Sequence, residues 1–218
     1  MITILQHGEH ESAGTITDTL HEKNEPFSIL RLYKGDPVPA EPPEKLIILG
    51  GQMSVNDEKD YPFLVPEKAL VKKAVANGSV VLGICLGAQM IAAACGKKVY
   101  AGEKELGWRA ITGCHAPGQR FFPGEFDVFH WHKETFDLPD GARLLATGKT
   151  IKNQAFMLNN ALGVQFHPEV TREIIAYWAK DLGADERDAI LKKSEENLDG
   201  NRFLCDAIVR VFLSGWRW

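Results

Sequence analysis

Four short runs, ITIL at 2–5, FSILRLY at 27–33, KLIIL at 45–49 and SVVLGI at 79–84, are apolar almost without interruption. A strand with one wet face alternates apolar and polar residues. An unbroken β-branched or Leu-rich run of this length belongs instead between two covering layers, as in a parallel sheet. Parallel neighbours need crossovers, and helix-like segments stand where crossovers are required: GTITDTLHEKN at 14–24, and PFLVPEKALVKKAVAN at 62–77, which closes at Gly78. The Pro-rich KGDPVPAEPPE at 34–44 reads as an irregular surface connection.

From 97 to 167 the pattern changes to strand-like runs (KKVYA, GWRAITG, EFDVFHWH, ARLLATG, QAFMLN, LGVQFH) separated by turns such as PDG and NNA, which predicts antiparallel hairpins. Residues 171–215 return to helix: TREIIAYWAKDLG, a charged stretch DERDAILKKSEEN, and an apolar closing segment RFLCDAIVRVFL. The expected fold is α/β: a mostly parallel central sheet flanked by helices, a flavodoxin-like sandwich, with a small antiparallel hairpin extension. A length of 218 residues sets against a prior of roughly 150 per domain. One domain over 1–218 is expected, with 171–218 as its C-terminal helical segment.

The net charge of −4 and pI near 6.0 offer no cationic field for nucleic acid, so a small polar molecule is the better partner. No window approaches the roughly 18 apolar residues of a membrane span, and MITILQHGEH lacks a basic leader. A cytoplasmic protein without membrane contact is expected. The cysteines at 85, 95, 114 and 205 form no C-x-x-C, so reduced thiols are the default, with Cys95, Cys114 and Cys205 expected as buried and inert.

Cys85 is different. Gly83-Ile84-Cys85-Leu86-Gly87 sits where the fourth apolar run gives way to the Ala-rich GAQMIAAA, and it fits the G-x-nucleophile-x-G pattern of a strand-to-helix elbow. A sulfur there faces unpaired N–H groups and the positive end of the helix dipole, which favour the attacking thiolate. The elbow aims the Leu86 N–H at a tetrahedral oxyanion. A second donor is expected from the Gly50-Gly51 pair after the third run.

Among seven histidines, His167 is placed at a strand end by LGVQFH followed by Pro168. Glu169, two residues on, falls on the same side if the chain stays extended, giving Cys85-His167-Glu169: nucleophile, general base and orienting carboxylate. His130 and His132 share a strand face and would ligate a metal together with Asp127 or His115, or line a substrate pocket instead. No organised ligand set accompanies them, so no metal and no cofactor is expected. His7, Glu9 and His10 are expected in a surface loop.

Taken together, ILGGQMSVND (48–57), GICLGAQ (83–89), HWHKETFDLP (130–139) and QFHPE (165–169) resemble class I glutamine amidotransferase domains. The similarity is greatest to stand-alone proteins related to the glutaminase part of GMP synthase, and runs from about residue 2 to 170. The resemblance implies a γ-glutamyl thioester on Cys85, oxyanion donors at Gly51 and Leu86, a substrate-holding Gln89, and a Trp131-His132 segment against the amino-acid end of glutamine. Related sequences often read His-Gly-Asp where this one has His132-Lys133-Glu134, which changes backbone freedom and charge beside the substrate's α-groups.

No acceptor-activating segment is recognisable in the 218 residues. Either a separate synthase subunit receives the ammonia, or there is no acceptor, and the chain then resembles free γ-glutamyl hydrolases or peptidases. Two alternatives of other classes stay open: a non-catalytic binding or regulatory protein on the same fold, and a metallohydrolase using His130 and His132.

Overall fold

The computed structural model describes residues 1–114, 121–122 and 124–216. Chain order runs β1 (Ile2–Gln6), α1 (Thr15–Glu22), β2 (Phe27–Arg31), β3 (Lys45–Ile48), α2 (Leu64–Asn77), β4 (Val80–Ile84), α3 (Leu86–Ala94), β5 (Val99–Gly113), β6 (Glu125–Phe136), β7 (Arg143–Gly148), β8 (Ala155–Leu158), β9 (Ala161–Val164), α4 (Arg172–Trp178) and α5 (Ala184–Leu213).

The strands form one sheet in the order β2-β1-β3-β4-β9-β8-β7-β5-β6. From β2 to β9 every pairing is parallel, and from β9 to β6 every pairing is antiparallel. The hairpins therefore continue the parallel sheet. β9, the last strand in sequence, lies beside β4, so whatever follows β9 emerges next to whatever follows β4.

The unbroken apolar runs follow from two cores on opposite faces of that sheet. Ile2, Ile4 and Ile47 pack with Ile16 and Leu20 of α1 and with Ile208, Val209 and Phe212 of α5. Leu5, Leu46 and Ile48 pack with Leu70 and Val71 of α2 and with Met90 and Ile91 of α3. Side chains alternate in direction along a strand, but both directions end in hydrocarbon. Each fully buried Leu, Ile or Phe contributes about 1.5–3 kcal/mol relative to exposure.

Three segments differ from the reading of the sequence. KKVYA and GWRAITG are parts of one strand, β5, whose register on β6 shifts between Ala101 and Glu105. The charged 185–197 stretch and the apolar closing segment are one helix, α5, because apolar residues buried along it, from Ile190 to Phe212, keep a common side against the body of the protein. β9 ends at Val164, so His167 lies beyond the strand. Of the three cysteines expected to be buried, only Cys205 is; Cys95 and Cys114 are partly exposed. Among the described residues no helix is long and apolar enough to cross a membrane.

Candidate active site

Cys85 joins β4 to α3 with φ 51° and ψ −103°, a left-handed backbone that a non-glycine residue adopts at a cost. Its neighbours make the corner sterically feasible. A Cβ on Gly83 would fall 2.5 Å from the Gly87 carbonyl oxygen, and one on Gly87 would fall 2.2 Å from the Ile48 carbonyl oxygen of β3. The Cys85 N–H donates to Val164 O at 2.8 Å, tying the corner to the end of β9. Burial pushes the thiols of Cys95, Cys114 and Cys205 up, the last to about 12, as expected of unreactive cysteines.

Leaving β9, the chain bends at 165–166 and turns at 168–169, and the His167 N–H donates to Phe129 O at 2.8 Å. His167 Nδ1 meets Glu169 Oε1 at 2.7 Å with both side chains buried. The Glu169 backbone is fixed in turn: its carbonyl accepts from Thr15 N at 3.0 Å, and Gly14 packs so closely that a Cβ would lie 2.0 Å from that oxygen. Buried Asn201 of α5 donates to the carbonyls of His167 (3.3 Å) and Pro168 (2.9 Å), and Trp178 meets the His167 ring edge-on, centroids 4.8 Å apart. Burial alone would depress the imidazole, but the charge of the Glu169 carboxylate, its hydrogen bond to the ring and the charge of the nearby Cys85 sulfur push it up to about 10. His167 Nε2 has no hydrogen-bond partner among the described residues.

The Gly50-Gly51 turn after β3 borders both groups. A Cβ on Gly50 would lie 2.9 Å from His167 Cε1 and 3.7 Å from Cys85 Cβ; one on Gly51 would lie 2.6 Å from Leu86 Cδ2. Behind the turn, His7 Nδ1 meets Gly50 O at 3.1 Å and His7 Nε2 meets Glu67 Oε1 of α2 at 2.9 Å. His7 and Glu67 are fully enclosed, a correction to the expected surface loop, while Glu9 and His10 are exposed as expected. Burial opposes charge on His7, but Glu67 and the Gly50 carbonyl together hold its pKa above the ordinary value.

Gln165 Nε2 lies 3.7 Å from Cys85 Sγ, and Gln165 Oε1 accepts from Gln89 Nε2 at 3.3 Å; the same Gln89 nitrogen lies 3.2 Å from the Glu134 carbonyl oxygen. These groups border a cavity of about 220 Å3 lined by Cys85, His167, Gly51, Gln89, Trp131 and His132. Glu11, Lys104, Lys133 and Glu134 bring both signs of charge to it, and burial pushes the Glu11 carboxyl up. Six expected site residues thus share one cavity, with Glu169 behind His167 and Leu86 against Gly51. Gln165, Glu67, Glu11 and Lys104 were not singled out by the sequence, though Gln165 had a signal in its place in QFHPE two residues before His167; His7 was noted after the first strand but expected on the surface.

Opposite His132 across the β5–β6 ladder stands Glu105, another residue the sequence did not single out. Glu105 Oε2 lies 3.1 Å from His132 Nε2 and 3.4 Å from His130 Nδ1, the two ring nitrogens are 3.2 Å apart, and Gln154 Nε2 donates to Oε2 at 3.0 Å. Burial, reinforced by the neighbouring His132, pushes His130 down to about 3, a neutral ring. Burial would raise Glu105, but the two histidines and Gln154 hold it below the usual carboxylate range. Asp127 is not in this cluster and pairs with Lys193 at 3.6 Å, and His115 lies outside the described residues.

Residues 14–174 match the family model for glutamine amidotransferase class-I. The chain is 32% identical over 180 residues to the glutamine amidotransferase-like protein YfeJ of Salmonella typhimurium, covering 78% of this chain and 75% of that one. It is 29% identical to gamma-glutamyl peptidase 5 of Arabidopsis thaliana, over 93% of this chain and 87% of the peptidase. Against the glutamine-hydrolyzing GMP synthase of Thermomicrobium roseum it is 34% identical over 59% of its length, spanning only 24% of that protein. A crystal structure of a glutamine amidotransferase from Thermotoga maritima superimposes with TM-score 0.86 at 30% identity, covering 97% of both chains. With its family model spanning most of the sequence and a solved relative matching the whole sheet, the chain belongs to the class-I glutamine amidotransferase family.

Proposed function

We propose that the protein hydrolyses the side-chain amide of glutamine or of a γ-glutamyl compound through a thioester on Cys85. The observation that carries this reading is the run Cys85, His167, Glu169 at the wall of a cavity bearing both signs of charge, a lining suited to a zwitterionic amino-acid end. The cavity is smaller than the ~300–1,000 Å3 of pockets for drug-sized ligands.

In the first step the Cys85 sulfur adds to the γ-carbonyl carbon, and the oxygen takes up negative charge facing the N–H groups of Gly51 and Leu86. Collapse breaks the C–N bond as the His167 imidazolium gives its proton to the leaving nitrogen, releasing ammonia or an amine. Water, deprotonated by the now neutral His167, then attacks the thioester; glutamate leaves and the thiolate–imidazolium pair returns. Glu169 fixes the ring orientation. Gln89, Trp131 and His132 bind the substrate.

Nearly full-length similarity to a γ-glutamyl peptidase favours a hydrolase that needs no acceptor. Similarity to a GMP synthase over a quarter of that enzyme is the support for the second reading, ammonia delivery to a synthase partner. The test is release of ammonia or amine from glutamine and a panel of γ-glutamyl peptides by wild type and Cys85→Ser. Turnover by the wild type alone supports the proposal. No turnover with any substrate, together with Cys85 no more reactive than Cys95 toward iodoacetamide, would leave a non-catalytic binding protein as the better reading.

A further inference from the structure

We propose that Glu105, His130 and His132 form a binding site for a divalent transition-metal ion of the zinc class, bridging β5 and β6 beside the cavity. Glu105 Oε2, His130 Nδ1 and His132 Nε2 form a triangle with sides of 3.1, 3.2 and 3.4 Å, and the three side chains are almost wholly buried. Hydrogen bonding alone leaves one side of this triangle unfavourable. A carboxylate oxygen only accepts, and each ring nitrogen either donates or accepts. If both nitrogens carry protons, two like-charged N–H groups face the same oxygen with only 3.2 Å between their nitrogens; if only one does, the other turns a lone pair toward the carboxylate oxygen. With three atoms and two roles, one side is always a like-with-like contact. A cation at the centre makes all three contacts attractive.

The dimensions also fit. Atoms separated by 3.1–3.4 Å lie about 1.9 Å from a common centre, so an ion with ligand distances of about 2.0–2.2 Å reaches all three from a point close to their plane. Two imidazoles and one carboxylate are a borderline donor set that suits zinc over calcium or magnesium. Gln154 donates to Glu105 Oε2 and so holds that oxygen in place behind the ligand atoms. The register shift between Ala101 and Glu105 brings Glu105 opposite His132.

The ion does not carry out the hydrolysis. Bound at His132 Nε2, it places that ring's proton on Nδ1, which has no partner among the described residues, on a side chain that lines the cavity. The consequence for substrate rests on the cavity reading above; the binding itself does not.

The test uses no substrate. Chelator-treated full-length protein is titrated with Zn2+ by calorimetry and with Co2+ by absorption spectroscopy, alongside His130→Ala, Glu105→Gln and Gln154→Ala checked for folding by circular dichroism. The wild type should bind one ion per chain with a cobalt spectrum of nitrogen and oxygen ligation, and affinity should fall roughly tenfold or more in the variants. Gln154→Ala, which leaves all three ligands in place, provides a graded loss if either ligand variant fails to fold. Wild-type affinity no better than that of the folded variants overturns the proposal. So does a thiolate-to-cobalt band abolished by alkylating Cys85, which would put the ion on sulfur.

Discussion

His7 holds the carbonyl of Gly50 through Nδ1 at 3.1 Å, out of reach of solvent. The Gly50 carbonyl and the Gly51 N–H belong to one planar peptide and point in opposite directions. Gripping the oxygen therefore fixes the direction of the N–H, as the oxyanion role proposed for Gly51 requires. Glu67 completes the device by engaging the other ring nitrogen at 2.9 Å. His7→Ala should lower kcat about 10- to 100-fold, at or below the range for losing an oxyanion donor outright, with little change in KM or in Cys85 alkylation. His7→Asn, whose amide can still donate to the carbonyl, should recover part of the loss. An equal fall in alkylation rate and kcat would mean that the whole corner had shifted. Leaving Glu67 buried without its partner should also destabilise His7→Ala by about 3–5 kcal/mol, read from denaturant unfolding.

The raised imidazole gives a pH signature. The folded His167 pKa of about 10 lies above the ordinary 6.5, so the stability due to the charged ring is fully present below 6.5 and lost as pH rises through about 10. Alkylation of Cys85 should accordingly persist through neutral pH and change only on the alkaline limb. Glu169→Gln removes a principal cause of the elevation and should bring that limb down toward neutrality. Identical pH profiles for wild type and Glu169→Gln would contradict the assignment of Glu169 as orienter.

Steric room distinguishes two glycines that a sequence presents as equals. A methyl at position 87 meets the Ile48 backbone, which cannot yield, whereas one at position 50 meets mainly the His167 ring. Gly87→Ala should lose stability of at least about 1–3 kcal/mol, the range for overpacking. Gly50→Ala should stay close to wild type in melting temperature and lose most of its activity as the imidazole is displaced. The pair is compared by thermal unfolding and by ammonia release on the same preparations.

How much of this was legible beforehand depended on the range of the interaction. Ile4 and Leu5 announced a parallel strand because both faces of the sheet are apolar, a property that each short run carries within itself. Cys85 was readable for the same reason, since an elbow is local; Glu169 was reached by a spacing argument that assumed extended chain, whereas it meets His167 around a turn at 168–169. Glu105 was not, because its meeting with His132 depends on a register shift in the β5–β6 ladder that no run of residues displays. His7 sits in a loop beside charged residues and looked solvated; Glu67, sixty positions away on α2, is what lets it be buried. The cut between the charged and apolar parts of α5 was misleading, since the long helix buries a side that runs through both.

The relay from Cys85 through Gln165 and Gln89 to the Glu134 carbonyl ties the sulfur to the Lys133-Glu134 step that follows His132. Gln89 Nε2 serves two acceptors, leaving its Oε1 as the group free to accept from the amide nitrogen of a substrate. Gln89→Leu keeps the volume but strands buried Gln165 Oε1, at a cost of about 1–3 kcal/mol for a group left unpaired in the interior. It should raise KM for glutamine while alkylation of Cys85 changes by less than roughly 3-fold, within ~1 kcal/mol. Gln165→Leu removes the contact at the sulfur itself, so alkylation should slow along with kcat. If Gln89→Leu leaves KM unchanged, the amide does not touch the substrate and the cavity's specificity must come from its charged lining instead.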